Sequence, residues 1–363
     1  MRLCSLFSGI GTTELAARGL RFETVAFCEI DSFAQKILKK RFPGVPIYDD
    51  IRALRGDEFE AVDAVCGGFP CQDLSVAGKK NGLSGARSGL WFEMLRLVEA
   101  IRPAFVLAEN VRGAINLALD EVTLGLENAG YEVRTNLVPA SLFGAPHQRY
   151  RIFVFGLRND VFDALADVPR ERLERACEHG ALPGQRPQPD DGNAVGGGES
   201  LWRTPDASAG RGANSEETYL KRKSMKLPLT LNTQVAHVER EMWPTVSVNG
   251  NYNRSGASAH SGDGLATAVK RQSVGQLNPC LVECLQGLPI GWTDPECDNP
   301  EPWPGWPVPP DMGGQYAYEP PRTMTGMKNR AARLKALGNC NPPQMYVSFL
   351  RVMKVINWIV GLC

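Results

Sequence analysis

The chain has 363 residues, 43% of them apolar and 22% charged, and a formal net charge of zero. These proportions exclude a fibrous or polyelectrolyte chain and leave room for two domains with a sizeable core. Ten cysteines without a Cys-x-x-Cys pair, and four histidines away from them in ligand spacing, argue against structural zinc and predict reduced thiols. The apolar run after Met1-Arg2 is too short for a signal segment or a membrane span, so a cytoplasmic protein is expected. Overall charge does not call for a polyanionic partner. Residues 201–280, however, hold ten Lys and Arg against six Asp and Glu, including Lys221-Arg222-Lys223, a run that suits a solvated face and phosphate contact equally well.

In chain order, apolar runs predict strands over 3–7, 24–27, 61–66, 105–108, 135–138 and 151–156. Amphipathic stretches predict helices over 12–17 and 32–40, near 88–101 and near 116–129. This βαβα rhythm predicts a doubly wound α/β sheet of the Rossmann type. From about residue 186 the texture shifts to Gly, Ser, Asn, Thr and Pro, which predicts a second, smaller and irregular domain. Residues 294–325, rich in Pro and Trp, read as a long surface connection. The apolar stripe 345–360, broken by Arg351 and Lys354, predicts a helix packed on the core. The domains expected are 1–185, 186–276, and a segment 277–363 that returns to the first.

Candidate chemistry gathers where predicted strands end. Ser8-Gly9-Ile10-Gly11 follows the first strand and opens the first helix, where glycines let backbone N–H groups approach a ligand. The third glycine of a dinucleotide fingerprint is missing, because Glu14 stands there. Glu29 follows the second strand, placed to take ribose hydroxyls, and Asp50 follows the third βα step. Gly67-Gly68-Phe69-Pro70-Cys71-Gln72 then presents one thiol after a proline on a rigid turn. Glu109-Asn110-Val111 ends the next strand. In a parallel sheet these ends line one crevice, so Cys71 and Glu109 are expected to face one substrate.

Five motifs, Phe7-Ser8-Gly9-Ile10-Gly11, Gly68-Phe69-Pro70-Cys71-Gln72, Glu109-Asn110-Val111, Gln148-Arg149-Tyr150-Arg151 and Gly338-Asn339, occur in the order seen in C5-cytosine DNA methyltransferases. The chain resembles that family over residues 1–160 and 277–350. The resemblance implies S-adenosylmethionine as methyl donor, held by Phe7, Gly9, Gly11, Glu29, Ile30, Asp50 and Pro70, with Leu90 or Trp91 beside its methionine portion, and no metal. It further implies Cys71 as nucleophile, Glu109 as the acid at cytosine N3, Arg151 as the residue that orients the base with Arg149 as its companion, and Asn339 completing the site. The implied partner is double-stranded DNA, read by residues 186–276, in a bacterial or phage setting where a restriction endonuclease acts on the same site.

Chemistry explains these residue types. Cytosine C5 is too weak a nucleophile to take a methyl group, and a thiolate added at C6 makes it an enamine. The base must first leave the duplex, and Ser75 to Ser88, with Lys79, Lys80 and Arg87, is expected to be a loop that closes over the DNA. Two other readings stand beside this one: a tRNA cytosine methyltransferase with the same apparatus, and a silent nucleic-acid-binding protein. Three departures from the family pattern are His147 in place of a glutamine, Cys340-Asn341 where a small residue and valine are usual, and a region 186–276 whose target sequence is not legible.

Overall fold

The computed structural model describes residues 1–59, 61–70, 89–116, 118–169, 242–248, 264–270, 275–308 and 314–362. Its centre is a seven-stranded sheet built from β1 (Arg2–Leu6), β2 (Glu23–Cys28), β3 (Ile47–Tyr48), β4 (Ala64–Gly67), β5 (Phe105–Val111), β6 (Tyr131–Val138) and β7 (Arg151–Arg158). The order across the sheet is β3-β2-β1-β4-β5-β7-β6. Strands β1 to β5 are parallel, whereas β7 runs antiparallel to both β5 and β6. The expected doubly wound α/β sheet is therefore present, with one reversed strand that periodicity did not predict.

Helices cover both faces because the central strands are apolar on both sides, as β1 shows with Leu3, Cys4 and Leu6 all buried. On one face α3 (Leu90–Ile101) and α4 (Leu119–Asn128) bury Trp91, Met94, Leu97 and Val98 with Val122 and Leu126. On the other, α1 (Thr12–Gly19) lies beside the long C-terminal helix α9 (Gln344–Val360), and their Ala16, Ala17, Met345, Leu350 and Met353 meet Leu3, Phe105 and Phe153. Helix α5 (Asn159–Ala166) follows β7 and adds Val161 to the same face. Among the described residues no helix is long and apolar enough to cross a membrane.

A third core forms where α2 (Ser32–Arg41) meets α6 (Leu265–Lys270), α7 (Pro279–Leu285) and α8 (Arg330–Asn339). Asp31 starts α2 by accepting from the N–H groups of Phe33 and Ala34. At the other end of α2, Arg41 donates to the carbonyls of Gly291, Trp292, Asp294 and Cys297. Behind that loop Arg333 and Glu283, both sealed from solvent, pair at 2.9 Å. A two-stranded sheet, β8 (Gln276–Leu277) with β9 (Thr323–Met324), closes this region.

The segment 294–325 departs from expectation. Its described residues have little regular structure, but they are anchored rather than a surface connection: Glu319 is buried and accepts from the N–H of Val308 at 2.6 Å, and buried Arg322 lies over the Trp243 ring. Its Pro and Trp content reflects packing against α7, where the Trp303 indole donates to the Cys284 carbonyl.

Candidate active site

The glycine turn is built as a ligand cradle. Ser8 donates its N–H to the Cys28 carbonyl and its hydroxyl to the Ser5 carbonyl, tying the turn to β2. Phe7, Gly9 and Gly11 have φ of 53°, 53° and 76°, in the left-handed region. Gly11 caps α1 so closely that a Cβ there would lie 2.6 Å from Phe42, whereas one at Gly9 would meet nothing within 4 Å. Gly9 donates its N–H to Glu29 Oε2 at 2.7 Å, and Asp31 donates to the other oxygen at 2.8 Å. Burial pushes the Glu29 carboxyl up despite those bonds. Ile30 stands 71% exposed beside the turn, an apolar surface open to a flat ring.

Asp50 is held by Arg52 at 2.6 Å, and that hydrogen bond lowers its pKa. The carboxylates of Glu29, Asp50 and Asp49 all act on the buried Cys28 thiol, which burial first and these charges second push up to about 12. An open glycine, an exposed Ile and carboxylates at successive strand ends fit a nucleoside-containing ligand such as S-adenosylmethionine. Leu90 lies half-buried at the start of α3. Of the two residues expected beside the methionine portion, Trp91 has no exposed surface and packs in the core on Phe69, with ring centroids 5.3 Å apart.

The second half of the crevice owes its form to the reversed strand. Because β7 opposes β5, its first residue, Arg151, pairs in register with Val111 at the last residue of β5. The start of one strand thus reaches the carboxyl edge of the others. There Arg151 Nε lies 2.9 Å from Glu109 Oε1, with each side chain 14% exposed. Gly68 presses on the other side of this carboxylate: a Cβ there would sit 2.7 Å from Glu109 Oε2. Asn110 also donates to the Phe69 carbonyl at 3.3 Å. The turn ending in half-buried Pro70 is therefore fixed against Glu109. Cys71, one residue on, and the loop 75–88 lie outside the described residues.

Arg149 lies inside the protein, two residues before Arg151. It is 1% exposed, and its guanidinium is spent on protein carbonyls, with Nε donating to Asn341 Oδ1 at 2.9 Å, Nη2 to the Gly338 carbonyl at 3.1 Å and Nη1 to the Val246 carbonyl. It braces the turn that precedes Arg151. Asn339 is exposed at the end of α8, and Gly338 beside it allows the chain at 247–248 to approach so closely that a Cβ would lie 2.3 Å from Val248 N. His147 is sealed inside, its Nε2 2.8 Å from the Leu285 carbonyl, and burial pulls its pKa down to about 3, which keeps it neutral. Periodicity and motif order gave no sign of Trp292, whose indole donates to the Ile10 carbonyl at 2.9 Å and supports the glycine turn from the C-terminal segment.

Among the described cysteines, Cys4, Cys28, Cys66 and Cys340 are buried near the sheet's carboxyl edge or behind it. Burial pushes every one of these thiols up, Cys28 and Cys340 to about 12, so none is a ready thiolate. Against this geometry, a family model for the C-5 cytosine-specific DNA methylase matches residues 1–283. The chain belongs to this family. Within it, the chain is 43% identical over 162 residues to type II methyltransferase M2.BsuMI of Bacillus subtilis, across 42% of this chain and 41% of that protein. It is 34% identical over 165 residues to type II methyltransferase M.FnuDI of Fusobacterium nucleatum, across 44% and 48%. The matched segments thus span less than half of either relative. The fold of this chain is also that of the S. pombe Dnmt2 methyltransferase, with a TM-score of 0.54 at 16% identity over 97% of this chain and 98% of the other.

Proposed function

We propose that this chain transfers a methyl group from S-adenosylmethionine to C5 of a cytosine in duplex DNA, with Cys71 as the covalent nucleophile. The observation that carries this reading is the Glu109 carboxylate, flanked by Arg151 at 2.9 Å and pressed by Gly68 three residues before Cys71. An acid and the approach to a nucleophile thus meet at one edge of the sheet. Phe7, Gly9, Gly11, Glu29, Ile30, Asp50, Pro70 and Leu90 would hold the donor, which supplies an electrophilic methyl group on a sulfonium when bound.

The protein's own residues then account for activation of the base. Cys71 Sγ forms a bond to C6 as the C5–C6 double bond opens, and Glu109 meets the charge that arrives at N3 by giving or sharing a proton. Arg151 fixes the Glu109 carboxylate and offers its remaining N–H groups to the ring. C5, now enamine-like, takes the methyl group. A solvent water takes the C5 proton, the proton at N3 returns to Glu109, and Cys71 departs as the thiolate, which restores the double bond and releases 5-methylcytosine. The base reaches these groups only when flipped out, at a cost of a few kcal/mol. We assign the opposing DNA-reading role to residues 186–276, between a catalytic unit 1–185 and the returning segment 277–363, with Asn339 closing the site from that side.

The test uses the full chain with labelled S-adenosylmethionine, plasmid DNA from a host lacking cytosine methylation, and tRNA as a second acceptor. Cys71→Ser is expected to lose at least about a thousandfold in methyl transfer while donor binding stays within about threefold. Duplex DNA carrying 5-fluorocytosine is expected to trap a covalent complex with the parent chain and none with the mutant. Near-normal turnover by Cys71→Ser would refute the covalent role, and methylation of tRNA in place of DNA would refute the substrate.

A further inference from the structure

Arg149 opens the turn into β7 with a φ of 35°, a conformation that non-glycine residues adopt rarely and keep only when neighbours enforce it. The acceptors of its guanidinium are all neutral oxygens. The guanidinium donates to Asn341, Gly338 and Val246, and its backbone N–H donates to Thr245 Oγ1 at 3.3 Å. Two of these acceptors are backbone carbonyls, which no substitution removes. The third is the side chain of Asn341, one of the positions where the chain departs from its family. Asn341 is 2% exposed, and its Nδ2 donates to the Tyr346 hydroxyl at 2.9 Å, so the amide has one orientation: oxygen toward Arg149, nitrogen toward α9. Two residues after Arg149, the chain delivers Arg151 to Glu109.

We propose that Asn341 is a positioning residue for methyl transfer, its amide, oriented by Tyr346, locking the left-handed Arg149 turn that aims Arg151 at Glu109. This rests on the activity proposed above. Asn341 touches neither base nor donor. It acts because a buried guanidinium with an unmet N–H shifts toward another acceptor, and the backbone it anchors shifts with it. The same link ties the catalytic edge to segment 242–248 and to the α8 end, so the site is complete only when those segments are docked.

The experiment compares Asn341→Val, Asn341→Asp and Tyr346→Phe in the full chain, by single-turnover methyl transfer to the unmethylated plasmid and by the Nε–H resonances of Arg149 and Arg151. Asn341→Val is expected to slow transfer about tenfold to a hundredfold, with affinities for S-adenosylmethionine and plasmid changed less than about threefold. Asn341→Asp keeps the acceptor and is expected to stay within about threefold of the parent rate. Both arginine resonances are expected to move in Asn341→Val. A folded Asn341→Val with the parent rate, equal losses in Val and Asp variants, or movement of Arg149 alone would each overturn the inference. Should Asn341→Val fail to fold, Tyr346→Phe decides: a rate loss of about threefold or more supports the link, and an unchanged rate overturns it. A parent chain that transfers nothing to plasmid would instead sink the proposed activity, and the resonances would still report on the link.

Discussion

Arg149 and Arg333 are each 1% exposed, yet the protein accommodates their charges in opposite ways. Arg333, in the C-terminal segment, lies 2.9 Å from the sealed carboxylate of Glu283, with Thr293 and Asp294 around it, and Glu283 first among its partners in effect drives its pKa up against burial. Arg149, at the crevice, has only carbonyls, and burial lowers its pKa to about 9. One region compensates charge with charge and becomes a rigid support. The other keeps a cation whose hydrogen bonds all go to neutral oxygens, beside the Arg151–Glu109 pair. A buried arginine is thus scaffold when its partner is a carboxylate and a lever on the site when its partners are neutral.

Breaking the compensated pair carries the largest expected effect. Arg333→Met leaves Glu283 charged in the core and is expected to cost about 3–5 kcal/mol in denaturant unfolding, with the surviving folded fraction retaining donor binding. A loss below about 1 kcal/mol would show that the pair is not what holds this region.

Glu14 sharpens the contrast as a third buried titratable group, which pairs with no cation among the described residues. Burial pushes its carboxyl up to about 7. The folded state therefore binds a proton that the unfolded state releases near pH 4.5, and the stability this gives is full at low pH and is lost as pH rises toward 7. Glu14→Gln is expected to gain on the order of 3 kcal/mol over the parent at pH 8 and to lose that advantage below about pH 4.5, read from unfolding curves across pH. A gap independent of pH would assign the effect to packing.

The smallest stability effect is expected at Arg149. Arg149→Met deprives three carbonyls of donors but also removes an uncompensated charge, so unfolding free energy should change by no more than about 2 kcal/mol while methyl transfer collapses. A loss as large as that of Arg333→Met would erase the distinction between the two regions.

Much of this was legible beforehand. Strands at 3–7, 24–27, 61–66 and 105–108 announced themselves as apolar runs, and Glu29, Asp50 and Glu109 stood where parallel strands end. The direction of 151–156 was not legible, since an apolar run reads the same either way. Its reversal follows from pairing with β6, only twelve residues earlier in the chain. That reversal is what carries Arg151 to the edge. The burial of Arg149 was not legible, because it depends on segments almost a hundred and almost two hundred positions away. The burial of Trp91 was not legible either, since its place in a helix pattern did not say which face turned inward.

Helix α9 also bears on how the protein comes into being. It covers one face of the sheet, and Lys354 at its exposed side reaches the Leu20 carbonyl 334 positions back along the chain. Contacts so distant in sequence form late, after a costly closure of the intervening chain. A ribosome that has finished every strand of the sheet has still not made the part that shelters Leu3 and Phe105, so the nascent catalytic unit stays greasy on one side until residue 360 has emerged.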